Sequence, residues 1–137
     1  MGWSCEHSAD SAATKEAVWQ RYADVTQWRD WSPAIEWARL DGPFQVGAKG
    51  KSKARGAPAA RFRLARVEPN AVFASTAWLP GARLLFEHFI EPRDTGLRIT
   101  HRATLSGPLS PLYTRRMRSL TEHSLPEGVD RLAKTTT

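Results

Sequence analysis

Residues 61–106 contain the clearest signal of the fold, and they read RFRLARVEPN AVFASTAWLP GARLLFEHFI EPRDTGLRIT HRATLS. Three turn signals, Pro69-Asn70, Pro80-Gly81 and Pro92–Gly96, separate short runs in which apolar and polar residues alternate. Alternation with a period of two is typical of β-strands, because successive side chains point to opposite faces of a sheet. Short strands joined by tight turns predict an antiparallel meander.

A hairpin determines which residues share a face of the sheet, so the three turns can be tested against one another. A two-residue turn at Pro80-Gly81 sets Phe73 opposite His88. Pairing residues 90 and 97 around the next turn makes His88 and His101 diagonal neighbours that both point inward. The same face collects the apolar side chains, which are Phe62, Leu64, Phe73, Ala77, Leu84, Phe86, Ile90, Leu97, Ile99, Ala103 and Leu105. We therefore predict a sheet with one buried face and one solvent face.

Apolar residues recur at helical spacing both before and after this meander in the chain. After a first strand at residues 2–9, the spacing predicts two short helices, over 14–23 and around 25–31. A long helix follows Gly107-Pro108, and Pro126 is expected to kink or restart it. The predicted fold class is α+β, with a curved antiparallel sheet of about seven strands around the long C-terminal helix.

The length of 137 residues, with 41% hydrophobic and 25% charged residues, is typical of one folded domain. We expect this domain to span residues 1–134, with 135–137 as a frayed tail. No apolar run approaches the roughly 20 residues that cross a bilayer, and no secretory signal is visible. Cys5 is the only cysteine, which rules out an internal disulfide and favours a reducing compartment. We therefore predict a soluble, cytoplasmic protein.

The net charge of +6 at pH 7 arises in one segment. Residues 42–67 contain no acidic residue and seven basic ones, Lys49, Lys51, Lys53, Arg55, Arg61, Arg63 and Arg66. Strand alternation places the lysines on the outer face, and Gly50, Ser52 and Ala54 on the inner face.

One interpretation of this basic segment is a solvated strand that resists edge-to-edge aggregation. The other is a docking surface for an anionic partner at Lys49, Lys51, Lys53, Arg61 and Arg63. Nucleic acid is disfavoured, because few aromatic residues share this face for base stacking.

Three motifs carry a resemblance to a known family, and together they extend over most of the chain. The first is A-x-x-E-x-V-W-x-x-Y-A-D-V-x-x-W-x-x-W-x-P at Ala13–Pro33. The others are L-D-G-P-F-x-V-G at Leu40–Gly47 and I-T-H-x-A-x-L-x-G-P-L-x-P-L-Y at Ile99–Tyr113. The chain resembles the polyketide cyclase/dehydratase-like branch of the START/Bet v1-like (SRPBCC) superfamily. The resemblance implies a helix-grip fold that holds a hydrophobic small molecule between sheet and helix, for transport, cyclisation or dehydration.

The ligand-binding candidates are the aromatic, histidine and methionine side chains expected to face this interior. They are Trp37, Phe62, Phe73, Phe86, His88, His101, Tyr113 and Met117. Trp37 belongs to this set only if its strand points that side chain inward. Trp19, Trp28 and Trp31 are interpreted as residues that pack the short helices onto the sheet. Two inward histidines without a neighbouring inward carboxylate or thiolate cannot complete a zinc site, so no metal and no cofactor is predicted.

Three functions remain open at this point. The first is noncatalytic binding of a lipid-like or aromatic ligand, with His88 and His101 as hydrogen-bonding groups. The second is a cyclase or dehydratase in which either histidine acts as general acid or base, since a neutral imidazole exchanges protons near pH 7. The alternative for both side chains is a structural role in the core. The third is an interaction module that docks through the basic outer face of the sheet.

Overall fold

The computed structural model describes residues 3–56 and 58–134, apart from the side chain of Leu120. The strands are β1 (Trp3–Ser11), β2 (Ile35–Asp41), β3 (Lys49–Ala54), β4 (Ala60–Glu68), β5 (Val72–Leu79), β6 (Ala82–Arg93) and β7 (Gly96–Ser106). The helices are α1 (Lys15–Ala23), α2 (Trp28–Trp31) and α3 (Ser110–Ala133). All seven strands form one antiparallel sheet in the order β1-β7-β6-β5-β4-β3-β2. The predicted α+β helix-grip fold is confirmed, whereas the expected tail lies outside the described residues.

The two short helices begin at side-chain caps. Thr14 Oγ1 accepts a hydrogen bond from the amide of Ala17 at 3.2 Å, which satisfies a donor in the first turn of α1. Asp24 Oδ1 accepts from the amide of Thr26 at 3.1 Å and starts a 3₁₀ turn that leads into α2. Ser32 ends α2 immediately before a proline, which disfavours helix at the preceding residue.

The β4–β5 hairpin reaches the predicted register by a different route. Its turn has three residues rather than two, with Asn70 in the left-handed region at φ 63°. A bulge between Leu64 and Arg66 adds one residue to β4. The longer turn and the bulge compensate for each other, so Phe62 still lies opposite Ala77, as predicted.

The β6–β7 turn is tighter than expected, and this corrects the predicted pairing of the two histidines. Arg93 pairs with Gly96, whose φ of 122° is accessible to glycine, and Ile90 therefore pairs with Ile99 rather than with residue 97. His88 and His101 lie directly opposite each other instead of diagonally. A shift of two residues leaves every side chain on the predicted face, because the side-chain period of a strand is two.

The expected inward orientation of Trp37 is wrong. A register irregularity between Ile35 and Trp37 pairs Trp37 with Lys53, on the outer face of the sheet. There the guanidinium of Arg39 lies 5.7 Å from the centre of the indole. Ala38 takes the inward position, and Trp37 is therefore no part of the interior.

Helix α3 packs on β1, β7 and α2. It continues through Pro126 rather than restarting there, although this proline has no amide hydrogen to donate. Gly128 permits a close approach of α3 to α2, since a Cβ at this position would lie 3.1 Å from the carbonyl oxygen of Trp31.

Among the described residues, none of the helices combines the length and the apolar character of a membrane-spanning segment.

A substitution at Gly50 tests how closely the strands and side chains of the sheet are packed. Gly50 pairs with Leu40 and Phe62, and an added Cβ would lie 2.5 Å from Phe62 Cζ and overlap the carbonyl oxygen of Arg39. We expect Gly50→Ala to lower the free energy of unfolding by about 1–3 kcal/mol in urea denaturation, because overpacking forces neighbours to shift. Ser52→Ala, on the same face of β3, is the matched control and should cost less. Equal stability of Gly50→Ala and the wild type would contradict this packing.

Candidate functional site

Three histidines form a row across the inner face of the sheet. His7 on β1 pairs with His101 on β7, which pairs with His88 on β6, and Phe73 on β5 continues the row. His7 Nε2 lies 3.5 Å from Asp130 Oδ1 on α3, at the half-exposed end. Sequence reasoning missed His7 because the pairing of β1 with β7 joins distant parts of the chain. The alternation of Trp3, Cys5 and His7 along the first strand was the available signal.

His88 stacks flat against Phe73, with ring centres 4.0 Å apart and an interplanar angle of 1°. Its Nδ1 lies 3.4 Å from the carbonyl oxygen of Phe73. Because a carbonyl only accepts, Nδ1 is the protonated nitrogen in this contact and Nε2 is left as an acceptor. Two neighbouring strands therefore orient the His88 ring.

Tyr22 connects α1 to the middle of the histidine row. Its hydroxyl lies 2.9 Å from His101 Nε2, and both side chains are buried. Burial raises the pKa of Tyr22 well above its ordinary value, so the phenol stays neutral. Tyr22 follows Val18 by four residues, so both lie on the buried face of α1. The histidine partner of Tyr22 is 79 residues away in the chain, and helical spacing could not predict that contact.

Aromatic side chains cover the two buried histidines. Trp31 contacts both, with ring centres 5.8 Å from His88 and 5.5 Å from His101. Trp28 stacks on Phe73 at 5.6 Å. These contacts agree with the interpretation of Trp28 and Trp31 as packing residues. They also make this half of the inner face a packed aromatic core, which we call the histidine core and define as Tyr22, Trp28, Trp31, Phe62, Phe73, His88 and His101.

Both histidines of this core are neutral at physiological pH. Burial lowers the pKa of His88 from 6.5 to about 3, against a smaller opposing effect of its bond to the Phe73 carbonyl. Burial also lowers the pKa of His101 well below 6.5, with further lowering from His88 and His7. A neutral imidazole with so low a pKa is a weak general base at pH 7.

Each buried histidine uses one ring nitrogen in the contacts above, His88 through Nδ1 and His101 through Nε2. Within the described residues, the other two nitrogens, His88 Nε2 and His101 Nδ1, make no hydrogen bond. Both side chains are buried, with 7% of His88 and 2% of His101 exposed.

The other half of the inner face is less well covered. Phe86, Tyr113 and Met117 are only half-buried, against the buried side chains of Leu84 and Leu105. We call this region the open end and define it as Phe86, Tyr113 and Met117 with the inward-facing Ser52, Ala54 and Ala77, all half-buried. The ligand-binding set predicted from the sequence is thus divided. Phe62, Phe73, His88 and His101 lie in the histidine core, and Phe86, Tyr113 and Met117 lie at the open end.

Two hydrogen bonds hold the first turns of α3 at the open end. The Tyr113 hydroxyl donates to the carbonyl of Pro80 at 2.7 Å, in the turn between β5 and β6. Arg116 Nη2 donates to the carbonyl of Gly56 at 2.6 Å, in the turn after β3. These two bonds connect the start of α3 to two turns of the sheet. The packing contacts of α3 with the sheet are made mainly with β1 and β7.

Two surface depressions lie elsewhere. One, of about 490 Å³, runs along an exposed side of α3 and is lined by Pro111, Thr114, Arg115, Arg118, Ser119, Glu122 and His123. The other, of about 370 Å³, lies on the sheet and is lined by Asp41, Lys49, Gly50, Lys51, Arg61, Phe62, Arg63 and Trp78.

Among residues 3–56 and 58–134, no three His, Cys, Asp or Glu side chains are grouped to hold a metal ion.

The lowered pKa of His88 predicts a specific loss of stability in acid. An unfolded histidine binds a proton below about pH 6.5, whereas folded His88 stays neutral down to about 3. The free energy of unfolding should therefore fall as the pH drops through this window, by roughly 1.4 kcal/mol per pH unit for each such histidine. We expect His88→Gln to reduce this slope in urea titrations, because one protonation of the unfolded chain is removed.

The matched control for the pH titration is His123→Gln, which removes an exposed histidine of α3. Its slope should stay close to that of the wild type. A wild-type slope in His88→Gln would contradict the neutral, buried state of His88.

Solved structures with the same fold are numerous at low sequence identity. The di-domain ARO/CYC StfQ from the steffimycin biosynthetic pathway superposes with a TM-score of 0.81 at 10% identity, over 99% of this chain and 51% of that one, so this chain spans about half its length. The ZhuI aromatase/cyclase from Streptomyces sp. R1128 gives 0.80 at 14% identity, over 97% and 92%. Norcoclaurine synthase from Thalictrum flavum gives 0.71 at 14% identity, over 98% and 86%.

The search among curated proteins finds no match. One family model, described as polyketide cyclase/dehydrase and lipid transport, matches residues 2–136. That span contains the histidine core, the open end and the three motifs of the sequence. The chain therefore belongs to the polyketide cyclase/dehydrase and lipid transport family.

Proposed function

We propose that the protein binds a hydrophobic small molecule, lipid-like or aromatic, at the open end between the sheet and the first half of α3. The observation that carries the proposal is the half-buried state of Phe86, Tyr113 and Met117, which face the interior of the fold. Inward-facing apolar side chains are ordinarily covered by the protein itself. Here they are left for another molecule to cover.

Small side chains make room for such a molecule. Ser52 and Ala54 face inward on β3, and Ala77 faces inward on β5, on the other side of β4. None of these side chains reaches far above the sheet. Each square ångström of apolar surface removed from water contributes roughly 25 cal/mol. A ligand in contact with Phe86 and Met117 would gain most of its binding free energy in this way, and Met117 can adapt its shape to it.

Polar groups at the inner face would orient the ligand. The Tyr113 hydroxyl has an acceptor lone pair left after donating to Pro80. His88 Nε2 and His101 Nδ1, deeper in the fold, have hydrogen-bonding capacity left for a polar atom of the ligand. A mostly apolar site with a few polar groups is the usual composition of small-molecule sites.

Filling the open end tests this function. We expect Ala77→Trp to weaken binding of naphthol and long-chain fatty acid probes by roughly tenfold or more in fluorescence titrations, because the indole would occupy the ligand's volume. Thr76→Trp, the next residue on β5, places the same side chain on the outer face and is the matched control. Thermal-shift and native mass measurements with a lipid and aromatic library would identify the preferred chemical class.

Two results would count against the proposal. One is the failure of every probe in the library to bind the wild-type protein. The other is equal weakening by Ala77→Trp and Thr76→Trp, since the outer substitution leaves the open end untouched. Unfolding midpoints of both variants separate a loss of binding from a loss of structure.

A cyclase or dehydratase is the second candidate, favoured by the Tyr22–His101 hydrogen bond and by the contact of the His101 ring with a second buried imidazole, that of His88. The aromatase/cyclase named above has the same fold, which supports the possibility. Against it stands the lowered pKa of His88, about 3, which makes that group a weak base. We therefore rank binding before catalysis.

Turnover of a linear polyketide-like substrate separates the two functions. If a histidine is the general base, His88→Gln combined with His101→Gln should slow product formation by roughly 10²–10⁴-fold. Binding of the naphthol probe serves as the control, because it reports an intact open end. The absence of turnover by the wild-type protein would eliminate the catalytic candidate and leave the binding function standing.

A further inference from the structure

The outer face of the sheet carries a row of cations that the ligand site does not use. Arg39 on β2 pairs with Lys51 on β3, which pairs with Arg61 on β4. Since Phe62 pairs with Ala77, Trp78 continues the row beside Arg61 and pairs in turn with Arg83 on β6. We call these four cations, together with Trp78 between them, the cation row. It crosses five neighbouring strands.

A second pair of cations lies next to this row. Lys49 on β3 is directly opposite Arg63 on β4. Like charges directly opposite each other in a sheet are mutually destabilising. Two such pairs side by side, Lys51 with Arg61 and Lys49 with Arg63, raise the positive potential of this surface at some cost to the stability of the protein.

One acidic side chain, Asp41, lies opposite Lys49 in the register of β2 and β3 and borders the same depression, but it forms no ion pair with these cations among the described residues. Elsewhere on the outer face, Arg98 pairs with Asp10, and Arg102 pairs with Glu6 and Glu87. For Arg39, Lys49, Lys51, Arg61, Arg63 and Arg83, by contrast, no ion pair forms within the described ranges. An anion from outside the chain is therefore the missing complement.

The cations converge on one depression. Its volume is about 370 Å³, and Lys49, Lys51, Arg61 and Arg63 all line it. Trp78 borders the depression with 47% of its surface exposed, although it is a large aromatic side chain. A tryptophan beside arginines is a combination enriched where protein interfaces derive their affinity.

We propose that the cation row docks an acidic helix of a partner protein. Neighbouring strands are about 4.8 Å apart, so the row presents its charges at nearly that interval. Acidic side chains three or four residues apart on a helix are about 5–6 Å apart. A helix lying across the strands can therefore bring successive carboxylates onto Arg39, Lys51 and Arg61, with an apolar side chain against Trp78.

The surroundings favour a protein over other anions. Single-stranded nucleic acid binds through several aromatic stacking positions along a basic groove. Of the two aromatic residues that line this depression, Phe62 is buried and Trp78 is exposed, so one stacking position is available. An anionic membrane surface is flat, and it would leave the depression beneath the cations unfilled. A helix has side chains that can enter it.

A synthetic helical peptide tests the proposal. The probe is a fluorescein-labelled alanine-rich peptide with glutamate at every fourth position, and the measurement is fluorescence anisotropy at low and at physiological salt. We expect binding that weakens with salt, as charge pairing at a surface requires. Lys51→Glu with Arg61→Glu should raise the dissociation constant by roughly tenfold or more.

The matched control is Arg115→Glu with Arg118→Glu on α3, which changes the net charge of the protein by the same amount. It should bind the peptide nearly as well as the wild type. Lys51→Gln with Arg61→Gln, which keeps the side chains polar without reversing charge, should weaken binding to a lesser degree. Unfolding midpoints confirm that each variant is folded.

Three outcomes would overturn the proposal. The first is failure of the peptide to bind the wild-type protein. The second is equal weakening of binding by the α3 control and by the row variant, because net charge alone would then explain the effect. The third is tighter binding of a dT oligonucleotide or of phosphatidylserine vesicles than of the peptide. Binding of naphthol at the open end is measured in parallel, so failure of the docking surface is distinguishable from failure of the ligand site.

Discussion

The buried hydrogen bond between Tyr22 and His101 is the contact on which the inner half of the fold depends. It joins α1 to the central part of the sheet at 2.9 Å, in a place where water cannot substitute for a lost partner. An unsatisfied polar atom at such a site costs roughly 1–3 kcal/mol. With α1 held there, Trp28 and Trp31 follow in the chain and close over Phe73 and both histidines.

This contact also divides the inner face into two halves with different properties. The histidine core is filled by side chains of the protein, and burial keeps its imidazoles neutral by lowering their pKa values. At the open end the nearby helix is α3, which packs mainly on β1 and β7. Phe86 and Met117 consequently remain half-buried. A packed half beside an incompletely covered half is an arrangement suited to holding an apolar molecule. The proposed docking surface lies on the opposite side of the same sheet.

Much of the sheet could be predicted because its face pattern tolerates errors of two residues. The β6–β7 turn is tighter than expected, yet His88 and His101 still face inward. In β4, a bulge and a longer turn cancel and leave Phe62 opposite Ala77. At Trp37 the irregularity stands alone, with no second one to compensate, so a one-residue slip moved the side chain to the outer face. Local pattern therefore predicts faces well and isolated bulges poorly.

Local periodicity and composition are enough to predict the fold class, the inner and outer faces of most strands and the concentration of positive charge in residues 42–67. Which inward residues contact each other depends on the tertiary structure. The partners of His101 are Tyr22, 79 residues away, and His7, on an edge strand from the other end of the chain. Whether an inward aromatic residue is packed or left half-buried depends on where α3 crosses the sheet. That position arises from side-chain packing between distant segments, such as the close approach at Gly128, which no local pattern encodes.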